Sequence, residues 1–349
     1  MTLRIDAAPL AAWADRVFHA AGCTAEEAQT IAASLVQSNL CGHDSHGVGL
    51  VPMYLDALRQ GEARSGVAPR VVVDHGALLT LDGQRGFGQV IGAQAMAIAI
   101  ERARTFGCAV LGLHNTHHLA RIGQWAEQCA AAGYTSVHFV NVLSAPSVAP
   151  WGGTDARLVT NPICIGVPHE PHPLVLDYAT SAIAVGKVKV ALAKGEPVPA
   201  DTLIDADGNP TTDPAVLWAE RMGALLPFAQ HKGYALAIMC EVLGGMLSGG
   251  RVHDARAEKA AINNMLSIVL AGERLRAPAE QRQQIDALAR WVKASPRREP
   301  TVPIQLPGEP ERATEAKRRR DGIPLPAATV ELLRQEGARL GVTSSPFDD

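Results

Sequence analysis

Cys108-Ala-Val-Leu-Gly-Leu-His-Asn-Thr-His-His118 decides the fold class. Its first six residues are an unbroken aliphatic run, as a strand covered on both faces requires, and the polar cluster marks where that strand ends. Downstream, a helical pattern runs over 120–132 and stops at Gly133, and 137–142 is another aliphatic strand. Upstream, 89–106 is helical, while 71–74 and 77–81 are strands around the His75-Gly76 turn. Strands, helices and Gly/Pro turns keep alternating from 151 to 226, ahead of a long apolar helix over 231–247. This alternation predicts an α/β fold, and no repeat of fixed period competes with it.

Two helices lead into this core. Apolar residues recur at helical spacing over 10–40, and Thr24 with Glu27 forms a capping box that starts the second helix, running toward Ser38. A polar turn follows, Cys41-Gly-His-Asp-Ser-His-Gly47, then a short helix over 52–59 with Pro52 in its first turn. Beyond Lys293 the chain is rich in proline and charge over 294–306 and ends in a helix over 327–340.

The composition narrows the function classes. With 349 residues the chain has room for two or three structural units, and 47% hydrophobic residues with only 4% aromatics imply a large aliphatic core. A net charge of -3 provides no global positive field, so nucleic acid is not expected as a partner. The best apolar stretch, 234–247, carries Glu241 and falls short of the roughly 20 residues a membrane span needs, so no membrane crossing is expected. Six scattered cysteines with no C-x-x-C pair fit reduced structural thiols, and the opening Met-Thr-Leu-Arg-Ile-Asp has no secretory pattern, which makes the cytoplasm the expected compartment.

Three motifs mislead when read alone. Gly86-Phe-Gly88-Gln-Val-Ile-Gly92 sits where a dinucleotide-binding turn would, but its spacing is wrong, and the next strand ends in His114-Asn115 rather than in the acid that binds a ribose. Asp205-Ala-Asp-Gly-Asn209 has its glycine too early for a calcium loop and reads as a hairpin turn. Lys317-Arg-Arg-Arg320 lies among Glu309, Glu311, Glu315 and Asp321, which makes it a solvated helix face.

Four segments place titratable groups in aliphatic surroundings, where an isolated charge is costly unless paired or functional. His43-Asp-Ser-His-Gly47 gathers a hydroxyl, a carboxylate and two imidazoles on one loop. The 114–118 cluster ends a buried strand, a common position for α/β active-site residues. Asp177 ends the apolar run 174–176, with Thr180, Ser181 and Lys187 following; a plain capping role for Asp177 competes. In His231-Lys232-Gly233 a cation opens an apolar helix, an unfavourable place unless an anion such as phosphate binds there. The histidines at 43, 46, 114, 117 and 118 also admit a metal site, and with it a metal-dependent hydrolase or lyase, but no H-E-x-x-H spacing is present and no metal is expected.

In Asp44-Ser-His-Gly47 with Pro52 and Tyr54, Asp82-Gly83 through Gly88-Gln89, Asn115-Thr-His-His118, Ala149-Pro-Trp-Gly-Gly153, Thr160-Asn-Pro162, Leu176-Asp-Tyr-Ala-Thr-Ser181 with Gly186-Lys187, Pro210-Thr-Thr-Asp-Pro214 and His231-Lys-Gly-Tyr234, the chain resembles the type 2 malate/L-lactate dehydrogenases. That family also includes ureidoglycolate, sulfolactate and cyclic-imine reductases, and the stretches around 43–49, 138–140, 177–184 and 306–309 look most like its hydroxycarboxylate dehydrogenase B branch. The resemblance implies a family-specific, non-Rossmann NAD(P)-binding fold with a large mixed sheet, N-terminal helices and a C-terminal helical extension, in a homodimer. It divides the chain into 1–72, a helical segment for dimerisation and the catalytic loop; 73–250, the NAD(P)-binding α/β domain; and 251–349, packing back on the N-terminal part.

The activity so implied is hydride transfer between 2-oxo acids and 2-hydroxy acids with NAD or NADP, with reduction of a cyclic imine as the alternative within the family. His118 and His46 become the candidates for the group that protonates the carbonyl oxygen, His118 being favoured, with Ser45 and Asp177 orienting His46; an imidazole suits this step because it titrates near neutral pH. The resemblance places the cofactor near Pro162, Thr180, Ser181, Lys187, His231, Lys232, Gly233 and Glu309, and the substrate near Tyr54.

One position departs from the pattern. Many relatives place an arginine three residues beyond the glycine of Asp-Ser-His-Gly, whereas this chain has Leu50. A guanidinium is the usual partner of a carboxylate, and Arg121 is the expected replacement, with pairing to Glu127 as the competing role. Leu50 also leaves a less polar wall, in keeping with a bulky or aryl substrate side chain.

Overall fold

The computed structural model describes residues 2–254, 260–342 and 344–347. β1 (Thr2–Ile5) leads into α1 (Ala7–Ala20) and α2 (Ala25–Leu40). The capping box forms as expected: the Glu27 amide donates to the Thr24 hydroxyl at 3.2 Å, and the Thr24 amide donates to the Glu27 carboxylate at 3.1 Å. Tight turns over Asp44–His46 and Val48–Leu50 precede α3 (Val51–Arg59), with Pro52 in its first turn, where a missing amide costs nothing.

The central part of the chain contributes β2 (Arg70–His75), β3 (Leu78–Asp82), α4 (Gly88–Phe106), β4 (Cys108–His117), α5 (Gly123–Ala131), β5 (Thr135–Leu143), β6 (Ile163–Val167), β7 (Leu174–Tyr178) and α6 (Val185–Lys194). β8 (Leu203–Ile204), β9 (Pro210–Thr211) and β10 (Ala224–Leu225) make a small separate sheet. The 205–209 segment closes its β8–β9 hairpin, where Asp205 accepts from the Asp207 and Asn209 amides at 2.9 Å, so the turn reading holds. α7 (His231–Cys240) runs on into a wider π-helical segment, Glu241–Met246. β11 (Ile262–Leu270), α8 (Pro278–Lys293), α9 (Glu309–Asp321), β12 (Ile323–Pro326) and α10 (Ala327–Arg339) complete the described chain.

Seven strands form the main sheet, in the order β2-β3-β4-β11-β5-β6-β7, with β3 and β4 parallel and the other neighbours antiparallel. This is the large mixed sheet expected, inside an α/β fold. Successive side chains of a strand face opposite sides. Leu111 and Leu113 therefore pack with Ile91 of α4 and Trp125 of α5, while Gly112 between them faces the segment after α7, where a Cβ would stand 2.8 Å from the Ser248 Cα. A second core gathers α1, α2, α3 and α10 around Trp13, Phe18, Leu35 and Leu333, beside the antiparallel pair β1–β12. The segment beyond 250 thus feeds both layers: β11 lies between β4 and β5, and β12 pairs with the N-terminal strand.

Several elements differ from the sequence expectation. β4 extends through His117, because Thr116 and His117 still pair with Asn263 and Ile262 of β11. α5 starts at Gly123 rather than at 120, since Ala120 takes a left-handed φ of 58° that no helix accommodates. The 231–247 helix changes pitch at Glu241. All six cysteines are free, five of them buried, and burial pushes the Cys23 and Cys240 thiols up to about 12. Among the described residues no helix is long and apolar enough to cross a membrane.

Candidate active site

A cavity of about 670 Å³, within the usual range for small-molecule sites, opens where five parts of the chain meet. Its wall includes Ser45 and His46 from the turn after α2, Arg121 from the β4–α5 connection, Asp177 at the end of β7, Lys187 in the first turn of α6 and Glu311 of α9. Residues spread over more than 260 positions of sequence therefore share one crevice.

The two candidate histidines touch. The His46 and His118 rings stack with centroids 5.5 Å apart and planes 16° from parallel. His118 Nδ1 lies 2.7 Å from the Tyr54 hydroxyl, which also accepts a hydrogen bond from Gln89 Nε2 at 2.9 Å. Ser45 Oγ lies 3.0 Å from His46 Nδ1. Burial, then the neighbouring His43 and Arg121, lowers His46 to about 4; burial, then His46 and His117, takes His118 well below 6.5. Both imidazoles therefore rest neutral at pH 7.

Asp177 accepts from the Gly123 amide at 2.7 Å, which fixes the end of β7 against the start of α5. Burial raises its carboxyl above the usual range, opposed by His43, Arg121 and that amide. Arg121 is 2% exposed and pairs with Glu127 through both terminal nitrogens, at 3.0 and 2.5 Å; its Nε is buried without a partner. The competing role weighed for Arg121 is thus present, and the guanidinium still forms part of the cavity wall. Leu50 packs against the N-terminal core. Lys187 lines the cavity with no ion pair among the described residues, and the N-cap of its helix, Ala184, supplies no side-chain cap.

A clamp from the C-terminal part holds the histidine turn. Arg318 donates to both Asp44 oxygens at 2.6 and 2.9 Å and to the Asn39 carbonyl at 2.5 Å, and Asn39 Nδ2 donates to Asp44 at 2.6 Å. Asn39 Oδ1 also accepts from the Val48 amide at 2.8 Å, so one amide side chain bridges both ends of the turn. His43 Nε2 lies 3.6 Å from a Glu311 carboxylate oxygen beside the cavity. Lys317, Arg319 and Arg320 pair with acids of their own helix, as a solvated face should, and Arg318 is the exception.

Of the other expected site residues, Pro162 and Ser181 line the cavity. Thr180 is buried just behind it, its hydroxyl donating to the carbonyls of Thr160 and Asn161 at 3.0 and 3.1 Å. Glu309 pairs with Lys293 at 2.5 Å, and its neighbours Pro310 and Glu311 reach the wall in its place. His231, Lys232 and Gly233 lie outside the lining; their helix comes alongside Thr180 through the Phe228 amide, 3.0 Å from the Thr180 carbonyl, and His231 and Lys232 are exposed. Sequence reasoning missed the contacts that Gln89, Asn39 and Arg318 make around the histidines and their turn. Gln89 was visible only as part of a matched motif, and Arg318 only as one member of a basic run.

A nicotinamide cofactor needs anion-binding groups beside a proton-transferring one. The uncapped N-terminus of the ten-residue α6, with Lys187 unpaired in its first turn, is suited to phosphate, and it shares a wall with His46, so the residues present fit such a group. Among the described residues no group of three or more His, Cys, Asp or Glu is arranged to hold a metal.

The malate/L-lactate dehydrogenase family model matches residues 5–334. Hydroxycarboxylate dehydrogenase B of Escherichia coli K12 is 47% identical over 344 residues, covering 97% of this chain and 95% of that protein. An L-lactate dehydrogenase of Cupriavidus necator is 42% identical over 298 residues, with 84% and 85% of the two chains covered. The solved structure of an E. coli chain described as a malate/lactate dehydrogenase aligns at a TM-score of 0.94 and 47% identity, over 97% of this chain and 96% of that one. The chain belongs to the malate/L-lactate dehydrogenase family.

Proposed function

We propose that this protein interconverts 2-oxo acids and 2-hydroxy acids with NAD(P)H or NAD(P) as its redox partner. The observation that carries this reading is the stacked His46–His118 pair beside a cavity whose wall holds an unpaired lysine and an uncapped helix N-terminus. When bound, the nicotinamide supplies or accepts the hydride at the substrate carbon. Lys187 and the first turn of α6 hold its phosphates, while Pro162, Thr180 and Ser181 shape the adjoining wall.

His118 gives a proton to the substrate oxygen or takes one from it, and His46 stacks against it, oriented by Ser45. A neutral imidazole is ready to accept a proton from a hydroxy acid; in the reductive direction, an entering carboxylate raises the proton affinity of the rings it approaches. Arg121 and Lys187 are the cations at the wall that such a carboxylate meets. A second cavity of about 390 Å³ on the same stretch of His46, lined by Leu217, Trp218 and Met222, favours a bulky or aryl side chain on the acid. The exposed Trp291, Leu288 and Leu275 provide an apolar face for a homodimer, and six free thiols suit the reducing cytoplasm.

A panel of 2-oxo acids, including pyruvate, oxaloacetate, 2-oxoglutarate and phenylpyruvate, assayed with NADH and with NADPH beside a cyclic imine of an amino acid, tests the reading. Turnover of a 2-oxo acid, lowered about 10²- to 10⁴-fold in His118→Asn, is expected. Turnover of the imine alone moves the chain to the imine-reductase alternative, and chelator-sensitive activity without nicotinamide moves it to a metal-dependent hydrolase or lyase.

A further inference from the structure

We propose that Gln89 is a positioning residue that determines, through Tyr54, which ring nitrogen of His118 carries the proton. This rests on the reading of His118 as the proton-transferring group. Gln89 occupies the first turn of α4 and is 1% exposed; Tyr54, on α3, is fully buried. Gln89 Nε2, Tyr54 Oη and His118 Nδ1 form an unbroken chain with links of 2.9 and 2.7 Å.

The direction of each bond follows from counting hydrogens. An amide nitrogen only donates, so the phenol oxygen is the acceptor in the first link, and its single hydrogen is left for the second. His118 Nδ1 is therefore an acceptor. A neutral imidazole has one ring proton, which then resides on Nε2. Burial keeps the phenol protonated, in agreement with its role as donor. The resting enzyme thus offers an Nε2–H, which donates a hydrogen bond to a substrate oxygen.

Gln89 Oε1 is buried without a hydrogen-bond partner, which is unusual for an interior amide. Turning the amide about its last torsion would place Oε1 on Tyr54 Oη. The phenol hydrogen would then point to Gln89, the phenol oxygen would accept from His118 Nδ1–H, and Nε2 would carry the lone pair that takes a proton from a hydroxyl. The ring that gives its Nε2 proton to the substrate oxygen must first carry a second proton on Nδ1, so that it is left neutral, and this one amide governs whether the phenol oxygen can accept from that Nδ1–H. The observed orientation leaves one acceptor unpaired, whereas the turned one leaves an NH₂ group unpaired, so the Nε2–H form is the resting one.

Nitrogen NMR of histidine-labelled protein reads the tautomer directly, with His118 assigned by its loss in His118→Asn. Wild type is expected to show a protonated Nε2 and an unprotonated Nδ1; the opposite pattern overturns the proposal, whatever the variants do. In Gln89→Leu the phenol loses its donor, so the His118 signals are expected to move toward a mixture of tautomers and kcat for reduction to fall about tenfold, with KM within twofold of wild type. Tyr54→Phe, which breaks the chain at its middle, is expected to give the same mixed tautomer and serves if Gln89→Leu does not fold. Unchanged His118 signals in a folded variant overturn the proposal. If no 2-oxo acid is reduced yet the tautomer shifts as described, the functional reading falls and the Gln89–Tyr54–His118 chain stands.

Discussion

Gly88→Ala separates placement of the histidine from stability of the fold. Gly88 opens α4 where the end of β4 crosses it, and a Cβ there would lie 2.1 Å from the His118 carbonyl oxygen and 2.6 Å from the Leu119 Cα. Both neighbours are backbone, so no side chain can swing aside. Ordinary contact requires the two segments to part by about 1 Å, and a catalytic group misplaced by about that distance typically costs about 10²-fold in rate. Overpacking of this kind costs roughly 1–3 kcal/mol of stability, which a folded enzyme survives. The assay is kcat for 2-oxo acid reduction, beside a urea unfolding curve and the Gly49→Ala control, whose Cβ meets nothing closer than 3.7 Å. We expect a loss near 10²-fold in Gly88→Ala with a folded protein, and less than a twofold change in the control. Wild-type kcat in Gly88→Ala would refute the idea that the α4–β4 crossing sets the position of His118.

Three further outcomes follow from the same geometry. Arg318→Ala removes the fork that holds Asp44, so kcat is expected to fall about tenfold, as the histidine turn loosens, while stability changes by about 1–3 kcal/mol; steady-state kinetics and a thermal melt check both. Glu241→Gln places an amide where a buried carboxylate accepts from Asn141 at 2.7 Å, Asn161 at 2.6 Å and the His253 amide at 2.7 Å, and is expected to cost about 3 kcal/mol in urea unfolding. Burial holds His46 and His117 at about 4 and His138 at about 3, whereas an unfolded histidine titrates near 6.5, so between these values only the unfolded chain takes up protons. Stability must therefore decline as pH falls from 6.5 toward 4, by up to about 1.4 kcal/mol per pH unit for each such group, and a flat series of unfolding curves over that range would contradict it.

The sequence shows best what is local. The Thr24–Glu27 box, the 205–209 turn and the helix over 88–106 depend on neighbours within a few residues, and each is present. The His43–Gly47 turn and the 114–118 cluster stand out as polar groups in aliphatic surroundings, because such groups need a partner or a purpose. β11 could not be read in this way. Its Asn263, Asn264 and Ser267 look like loop residues, and they are buried against distant partners: Asn263 Oδ1 accepts from the Leu119 amide at 2.7 Å, Asn264 bridges the Asn115 amide and Asn141 at 2.9 and 2.6 Å, and Ser267 meets His138 at 2.8 Å. Those partners become neighbours only when the sheet assembles. Glu241, seen in the sequence only as a charge interrupting an apolar run, ends this chain of amides. Gln89 was hidden for a similar reason, since one glutamine in a helical pattern carries no signal until Tyr54 and His118 close upon it. The electrostatic mismatch at a helix start drew attention to Lys232, whereas the lysine at the cavity wall, Lys187, sits on α6 and stood in the sequence only as a residue following the Asp177 segment.

The most direct measurement follows an isotope. NADH carrying deuterium at the transferable position of the nicotinamide ring is incubated with the protein and the best 2-oxo acid of the panel, and the product is examined by mass spectrometry. The account predicts a single deuterium on the carbon bearing the new hydroxyl, with the yield collapsing in His118→Asn. Product formed without the label, or labelled product made equally well by His118→Asn, would contradict it.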